Sequence, residues 1–129
     1  MHTAKIALSI LALLVIIIGS SLIGANILSN TSDKLSGNIE KVESSTTSED
    51  WNNAVKYLDD IEKDWSKSEG IWSMLIDHIE IDNIENSLTR MKKYIEVKDK
   101  SLALGEIANL KQYVKHIPQK ETFNFRNVF

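Results

Sequence analysis

Cysteine is absent from this chain of 129 residues, proline occurs once, and glycine occurs five times. The absence of cysteine excludes disulfides, thiolate metal sites and cysteine nucleophiles within this sequence. The scarcity of proline and glycine, together with 26% charged residues, is typical of a helical protein and not of a disordered or collagen-like one. The fold must therefore be held together by side-chain packing.

Recognisable catalytic motifs are also missing. The sequence has no Gly-rich phosphate loop, no HExxH metal-binding pair and no serine in a nucleophile-elbow context, and its paired carboxylates fall on polar helix faces. We therefore expect that the protein is not an enzyme and that it carries no cofactor.

Basic residues are outnumbered by acidic ones. Lys5 precedes the one long apolar run, and the rest of the chain has 14 Lys and Arg residues against 18 Asp and Glu residues, a net charge of −4. Such a surface repels nucleic acid and anionic lipid headgroups, so we expect neither as a partner.

The apolar run Ile6–Ala25 contains twenty residues without a charge. A helix of this length is about 30 Å long, which matches the hydrocarbon core of a bilayer. Its side chains are apolar on every face, and a helix satisfies its own backbone hydrogen bonds in lipid. We predict that residues 1–28 form a cytoplasmic flank and a transmembrane anchor, which contacts the bilayer through Ile6–Ala25.

The charges at the N-terminus predict the orientation of this anchor. Lys5 and the α-amino group favour an N-terminus inside the cell, which places the rest of the chain outside the cytoplasm. The alternative is a cleaved secretory signal with Gly19-x-Ser21 as its exit site, which would give a secreted product. Apolar residues continue beyond that site, and the resulting length favours an uncleaved anchor.

Residues 29–48 are expected to form a stalk or linker, followed by a helical domain of residues 49–129. A thin helical stripe enters the linker, and Gly37 weakens it. The stripe consists of Leu28, Leu35, Ile39 and Val42.

The second helix is predicted to begin near Glu49. Thr46 and Thr47 each precede an acidic residue by three positions, which is the capping-box pattern. The apolar face of this helix is formed by Trp51, Ala54, Leu58, Ile61 and Trp65.

A polar segment, residues 66–70, ends in Gly70 and is expected to separate the second helix from a third one, Ile71–Val97. Because the apolar stripe continues in phase through Trp72, one long helix, Glu49–Val97, is the alternative.

The third helix carries two apolar faces on opposite sides, so it needs two partner helices, or a bend near Asp82. The first face is Trp72, Leu75, Ile76 and Ile79, and the second is Ile81, Ile84, Leu88, Met91 and Ile95.

The fourth helix is predicted to begin at the N-cap Ser101 and to end at Pro118. Its apolar face is Ala103, Ile107, Leu110, Val114 and Ile117. The predicted fold class is all-α, with a single N-terminal transmembrane helix followed by a small antiparallel bundle of three helices.

One cluster has the residue types of a metal site. His78, Asp82 and Glu85 lie on one side of a helix, and His116 would be a fourth ligand from the next helix. The pattern is weak because no second histidine lies one turn away. We expect these residues to form a solvated acidic face and to bind no metal.

The three tryptophans admit two readings. Trp51, Trp65 and Trp72 follow heptad spacing, which favours core positions over an aromatic ligand cleft.

The residues after Pro118 include four large apolar side chains that no helix stripe requires. They are Phe123, Phe125, Val128 and Phe129. Two roles remain open, because the tail would either fold back into the groove between the third and fourth helices or bind a protein partner.

Several of these residues together resemble a known family. They are Trp65, the run His78-x-Glu80-x-Asp82-x-Ile84, Leu88, Tyr94, Asp99, His116 and the closing Asn127-Val128-Phe129. Across Lys5–Phe129, and most specifically across Asp77–Ile117, the chain resembles the small bacterial membrane-anchored proteins called domain of unknown function 4363. The closing NVF replaces an expected NIF. The resemblance implies one N-terminal span and a helical domain, without an assigned activity and without site residues to transfer.

The function we expect is therefore that of a membrane-anchored, extracytoplasmic helical module that interacts with or scaffolds an unknown protein partner. The alternative is a module of the cell envelope that binds a metal or a small ligand.

Overall fold

The computed structural model describes the backbone of residues 1–128 and the side chains of residues 1–120, and this part of the chain contains four helices and no strand. The helices are α1 (His2–Thr47), α2 (Trp51–Leu75), α3 (His78–Glu96) and α4 (Lys100–Val128). The all-α prediction is confirmed.

Helix α1 is a single helix of 46 residues with two different environments. Its N-terminal part is long and apolar enough to cross a membrane, and none of its most apolar stretch is buried against the bundle. From Gly24 onward the helix has a buried face, which packs against α2 and α4.

The bundle contains four helices, because the expected stalk is one of them. The stripe of Leu28, Leu35, Ile39 and Val42 is at most 2% exposed, so residues 29–48 belong to the core and are not a linker. Helix α1 continues through Gly37, which lies on the exposed face, where an added Cβ would meet no atom within 4 Å.

The helices form a ring in which each one packs against its neighbours in the chain and α1 closes the ring against α4. Short connections make these neighbours antiparallel. Nearly all the predicted stripe residues of the second and fourth helices, and the second face of the third, are buried, with Trp51 partly buried. The prediction for Ile79 is wrong, because this side chain is 67% exposed.

Helix α2 continues through Gly70 and ends at Leu75, so both the expected break at residues 66–70 and the alternative single helix are wrong. The rings of Trp65 and Trp72 meet edge to face at 5.6 Å on the buried side of α2, and burying both indoles favours a continuous helix. The break comes instead where the apolar stripe changes sides, at Ile76, whose backbone is extended.

The two connections at the other end of the bundle have the same geometry. Glu49 and Lys98 have positive φ angles of 56° and 57°, and the next residue in each case is an aspartate that caps the following helix. Asp50 accepts a hydrogen bond from the backbone N–H of Asn53, and Asp99 accepts one from that of Leu102. Asp99 is therefore the capping residue of α4, in place of the expected Ser101, and Thr46 and Thr47 remain inside α1.

Helix α4 continues past Pro118, which was expected to end it. Proline has no N–H, so the carbonyl of Val114, one turn earlier, loses its helical donor. The buried hydroxyl of Ser32 in α1 donates a hydrogen bond of 2.6 Å to that carbonyl. A partner from another helix thus replaces the bond that Pro118 removes.

Candidate functional site

The residues of the proposed metal cluster do not converge. His78 and Asp82 are exposed at the start of α3, Glu85 is partly buried toward α2, and His116 is exposed on α4. Among the described residues, no group of three or more His, Cys, Asp or Glu is placed to hold a metal ion.

Glu85 forms a pair with Glu69 of α2 that the sequence did not indicate. A shared hydrogen bond with Glu69, followed by partial burial and the repulsion of the Glu69 charge, raises the pKa of the Glu85 carboxyl above its ordinary value of 4.5. The buried indole N–H of Trp65 has no hydrogen-bond partner among the described residues, but it lies near Glu85 and acts to lower the pKa of that carboxyl. The two carboxyls face each other where α2 meets α3.

Two of the three tryptophans are core residues, as their spacing predicts. Trp72 is fully buried and Trp65 is 5% exposed, so they leave no open aromatic cleft between them. The indole N–H of Trp72 donates a hydrogen bond of 2.7 Å to the hydroxyl of Thr31, which itself donates to the carbonyl of Ile27. This chain of bonds fixes the end of α2 to α1 just beyond the apolar run.

Arg90 and Glu106 form the shortest ion pair between α3 and α4 among the described residues. The guanidinium contacts one carboxylate oxygen through two nitrogens, at 2.8 Å and 2.9 Å, and Glu106 is only 8% exposed. Hydrogen bonding to Glu106 raises the pKa of Arg90. The pair joins the middle of α3 to the first turns of α4.

An open groove of about 550 Å³ lies between the first turn of α3 and residues 112–120 of α4. Its floor is formed by Tyr113 and Ile117, and its rim includes His116. Glu80 and Lys120 form an ion pair of 3.7 Å across it. We refer to it as the α3–α4 groove. The signal for it in the sequence was Tyr113, one turn before Ile117 and beside the buried stripe.

A second groove, of about 490 Å³, separates α1 from α4 and is mainly polar. Its α4 side is lined by Lys115, Pro118 and Gln119, and its α1 side by two acidic residues and four small ones, Asp33, Glu40, Ser29, Ser32, Ser36 and Gly37. Sequence reasoning missed this groove because it treated residues 29–48 as a linker. The small residues at helical spacing were the available signal.

The four apolar residues proposed for partner binding are Phe123, Phe125, Val128 and Phe129. Phe129 and the side chains of the other three lie outside the described residues, so both of their proposed roles stay predictions.

Comparison with known proteins gives one match. No curated protein and no solved structure matches this chain. A family profile described as Domain of unknown function (DUF4363) matches residues 22–128, which include the buried half of α1 and the rest of the bundle. The chain therefore belongs to the family of domain of unknown function 4363, as its resemblance predicted.

Proposed function

We propose that this protein is a non-catalytic helical module, anchored in the membrane and located outside the cytoplasm, that holds a partner-binding surface at a fixed distance from the bilayer. The observation that supports this proposal is the continuity of α1. One helix contains both the apolar run Ile6–Ala25 and a full side of the bundle core.

This continuity removes the freedom that a linker would give. Leu28, three residues after the apolar run, is already 1% exposed in the core, so no flexible segment separates the run from the bundle. The bundle therefore keeps one orientation relative to α1. Helix α3 has 19 residues, so the surface of the bundle extends about 28 Å along the bundle axis.

The described surface that best fits a protein partner is the α3–α4 groove. The groove combines an apolar floor with charged and imidazole groups at its rim, which is the usual pattern of a site that binds an apolar helix or peptide. Phe123, Phe125, Val128 and Phe129 follow it directly in the sequence.

The test is chain-specific co-purification from solubilised membranes, with the parent compared to Tyr113→Ala. Tyr57→Ala is the matched control, because Tyr57 is also partly buried at the edge of the core but lies on α2, away from this groove. We expect a partner that is lost with Tyr113→Ala and retained with Tyr57→Ala. Equal recovery with both variants would contradict the assignment of the groove.

The orientation has a separate test. Because the chain has no cysteine, Lys98→Cys introduces a single thiol at the exposed α3–α4 connection. A membrane-impermeant maleimide should label it in intact cells that lack a wall. Labelling only after lysis would reverse the orientation, and a soluble product that begins near Leu22 would reveal a cleaved signal.

A further inference from the structure

Large apolar side chains remain exposed at the connection between α2 and α3. Met74 is 81% exposed, Ile79 is 67% exposed, and Ile71 is 42% exposed. We call residues 71–79 the lower corner. Within residues 24–120, whose side chains the structure describes, the other exposed large apolar residues lie elsewhere: Val55 on α2, and Val97 and Leu102 at the opposite end.

Contacts between α1 and α2 fix the position of the lower corner along the bundle axis, relative to the apolar run. Asp64 pairs with Lys34 at 3.3 Å, and Trp72 bonds to Thr31 further down. At the end of α2, Leu75 packs so closely on Gly24 that a Cβ on Gly24 would lie 3.1 Å from its Cδ2. These contacts run in order toward the apolar run Ile6–Ala25, so the lower corner lies at the level where that run ends.

We infer that the lower corner is a second membrane contact, in which Met74 and Ile79 enter the interfacial layer of the bilayer that α1 crosses. This inference rests on the proposed function only in taking α1 as the membrane span. Exposed apolar surface is unfavourable in water and favourable at the boundary of headgroups and acyl chains.

A lipid surface is the partner that fits the lower corner, because Leu75 in this corner packs against Gly24 at the end of the apolar run. Leu22 and Ile23, in the same turn of α1 as Gly24, are 63% and 62% exposed and apolar, so the apolar surface of the span reaches the level of the corner. Asp77 and His78 are exposed at the same corner, where they remain in the hydrated headgroup layer. The carboxylate of Asp77 disfavours anionic lipids, which makes a zwitterionic bilayer the suitable probe.

The test uses the full chain in phosphatidylcholine nanodiscs, with one nitroxide label for each variant. The absence of native cysteine makes Met74→Cys and Ile79→Cys unique labelling sites. Val55→Cys and Leu102→Cys are exposed apolar controls away from the corner, and Leu13→Cys reports whether α1 is inserted. All these side chains are exposed, and the helical circular dichroism of each variant confirms that it has folded.

We expect labels at Met74 and Ile79 to collide with oxygen more often than with a water-soluble nickel complex, as a label at Leu13 does. Labels at Val55 and Leu102 should show the opposite ratio. If the corner labels match Leu102 while Leu13 stays protected, the inference is overturned and the span stands. If Leu13 is also open to nickel, the anchor itself is wrong.

A second copy of the chain is the other outcome that the labels can reveal. Spin–spin broadening at Met74 that disappears when labelled protein is diluted with unlabelled protein would show that another protomer covers the corner. That result would overturn the assignment to lipid.

Discussion

Ser32 stabilises the fold through one buried hydrogen bond. Its hydroxyl donates to the carbonyl of Val114, which Pro118 leaves without a helical donor. Ser32→Ala leaves the buried carbonyl of Val114 unpaired, and we expect this to lower the free energy of unfolding by about 1–3 kcal/mol. Thermal unfolding of the full chain in detergent measures the loss. Ser29→Ala, on the exposed part of the same helix, is the control and should be nearly silent.

The same contact allows a rescue. Pro118→Ala restores a backbone N–H that can donate to Val114, so the double variant should recover most of the stability that Ser32→Ala loses. Purely additive losses in the double-mutant cycle would show that the two residues do not share this carbonyl.

The Glu85 carboxyl makes stability depend on pH. Its pKa lies above 4.5 in the folded protein, so between 4.5 and the elevated value the folded state binds more protons than the unfolded state. The stabilisation that the protonated Glu85 carboxyl gives to the folded state is therefore fully present below pH 4.5, and it is lost as the pH rises through the folded pKa. Glu85→Gln and Glu69→Gln should each flatten this decline in a series of melting temperatures. Unchanged slopes in both variants would refute the pairing.

Among the helices, α2 shows that side-chain packing can keep a helix continuous through a residue that favours a break. Gly70 lies inside the helix with open space around its Cα and a φ angle that is not positive. Gly70→Ala should therefore stabilise the protein by about 0.5–1 kcal/mol, as seen in unfolding by urea. Gly24→Ala is the matched comparison, and its methyl group would press on Leu75, so we expect a smaller gain or a loss.

The second face of α3 is the clearest success of the sequence pattern. Leu88 is 7% exposed, so Leu88→Ala should cost about 2–5 kcal/mol, and Leu88→Asp should unfold the bundle because it buries an unpaired charge. Lys92→Ala, which removes a half-exposed ion pair with Glu62, should change the melting temperature little. A Leu88→Asp variant that melts with the parent would refute the burial of this face.

Periodicity predicted the stripes because burial on one side of a helix requires apolar residues at three- and four-residue spacing. It failed where the deciding contact is distant. Nothing near Pro118 in the sequence shows that Ser32 will replace the missing bond, and the stripe from Leu28 to Val42 looks too sparse for a core until α2 and α4 cover it. The grooves were not predicted, because each is formed between two helices and the signals for them, Tyr113 and the small residues of α1, gain meaning only once the helix packing is known.

At the scale of the whole molecule, the fold sets where the chain can be shortened. A chain that begins at Ile27 loses the contact of Gly24 with Leu75 but keeps the buried stripe of α1 from Leu28 onward, and it should unfold cooperatively in water. A chain of residues 49–129 loses Leu28, Leu35, Ile39 and Val42, each worth about 1.5–3 kcal/mol of burial, which together rival the stability of a small domain. It should show no cooperative melting transition. A folded 49–129 chain would restore the linker interpretation of residues 29–48.

The correspondence between the connections at Glu49 and Lys98 continues into the helices before and after each of them. The spacing that separates Asp50 from Asp99 also relates buried pairs along both hairpins: Leu35 with Ile84, Ile39 with Leu88, Val42 with Met91, Ala54 with Ala103, Leu58 with Ile107 and Ile61 with Leu110. In a ring of four alternating helices, a half-turn about the bundle axis exchanges α1 with α3 and α2 with α4. The constant spacing of these buried pairs and of the two connections is the pattern of an internal pseudo-twofold repeat, and the apolar extension of α1 and the weaker packing of α2 on α3 depart from it.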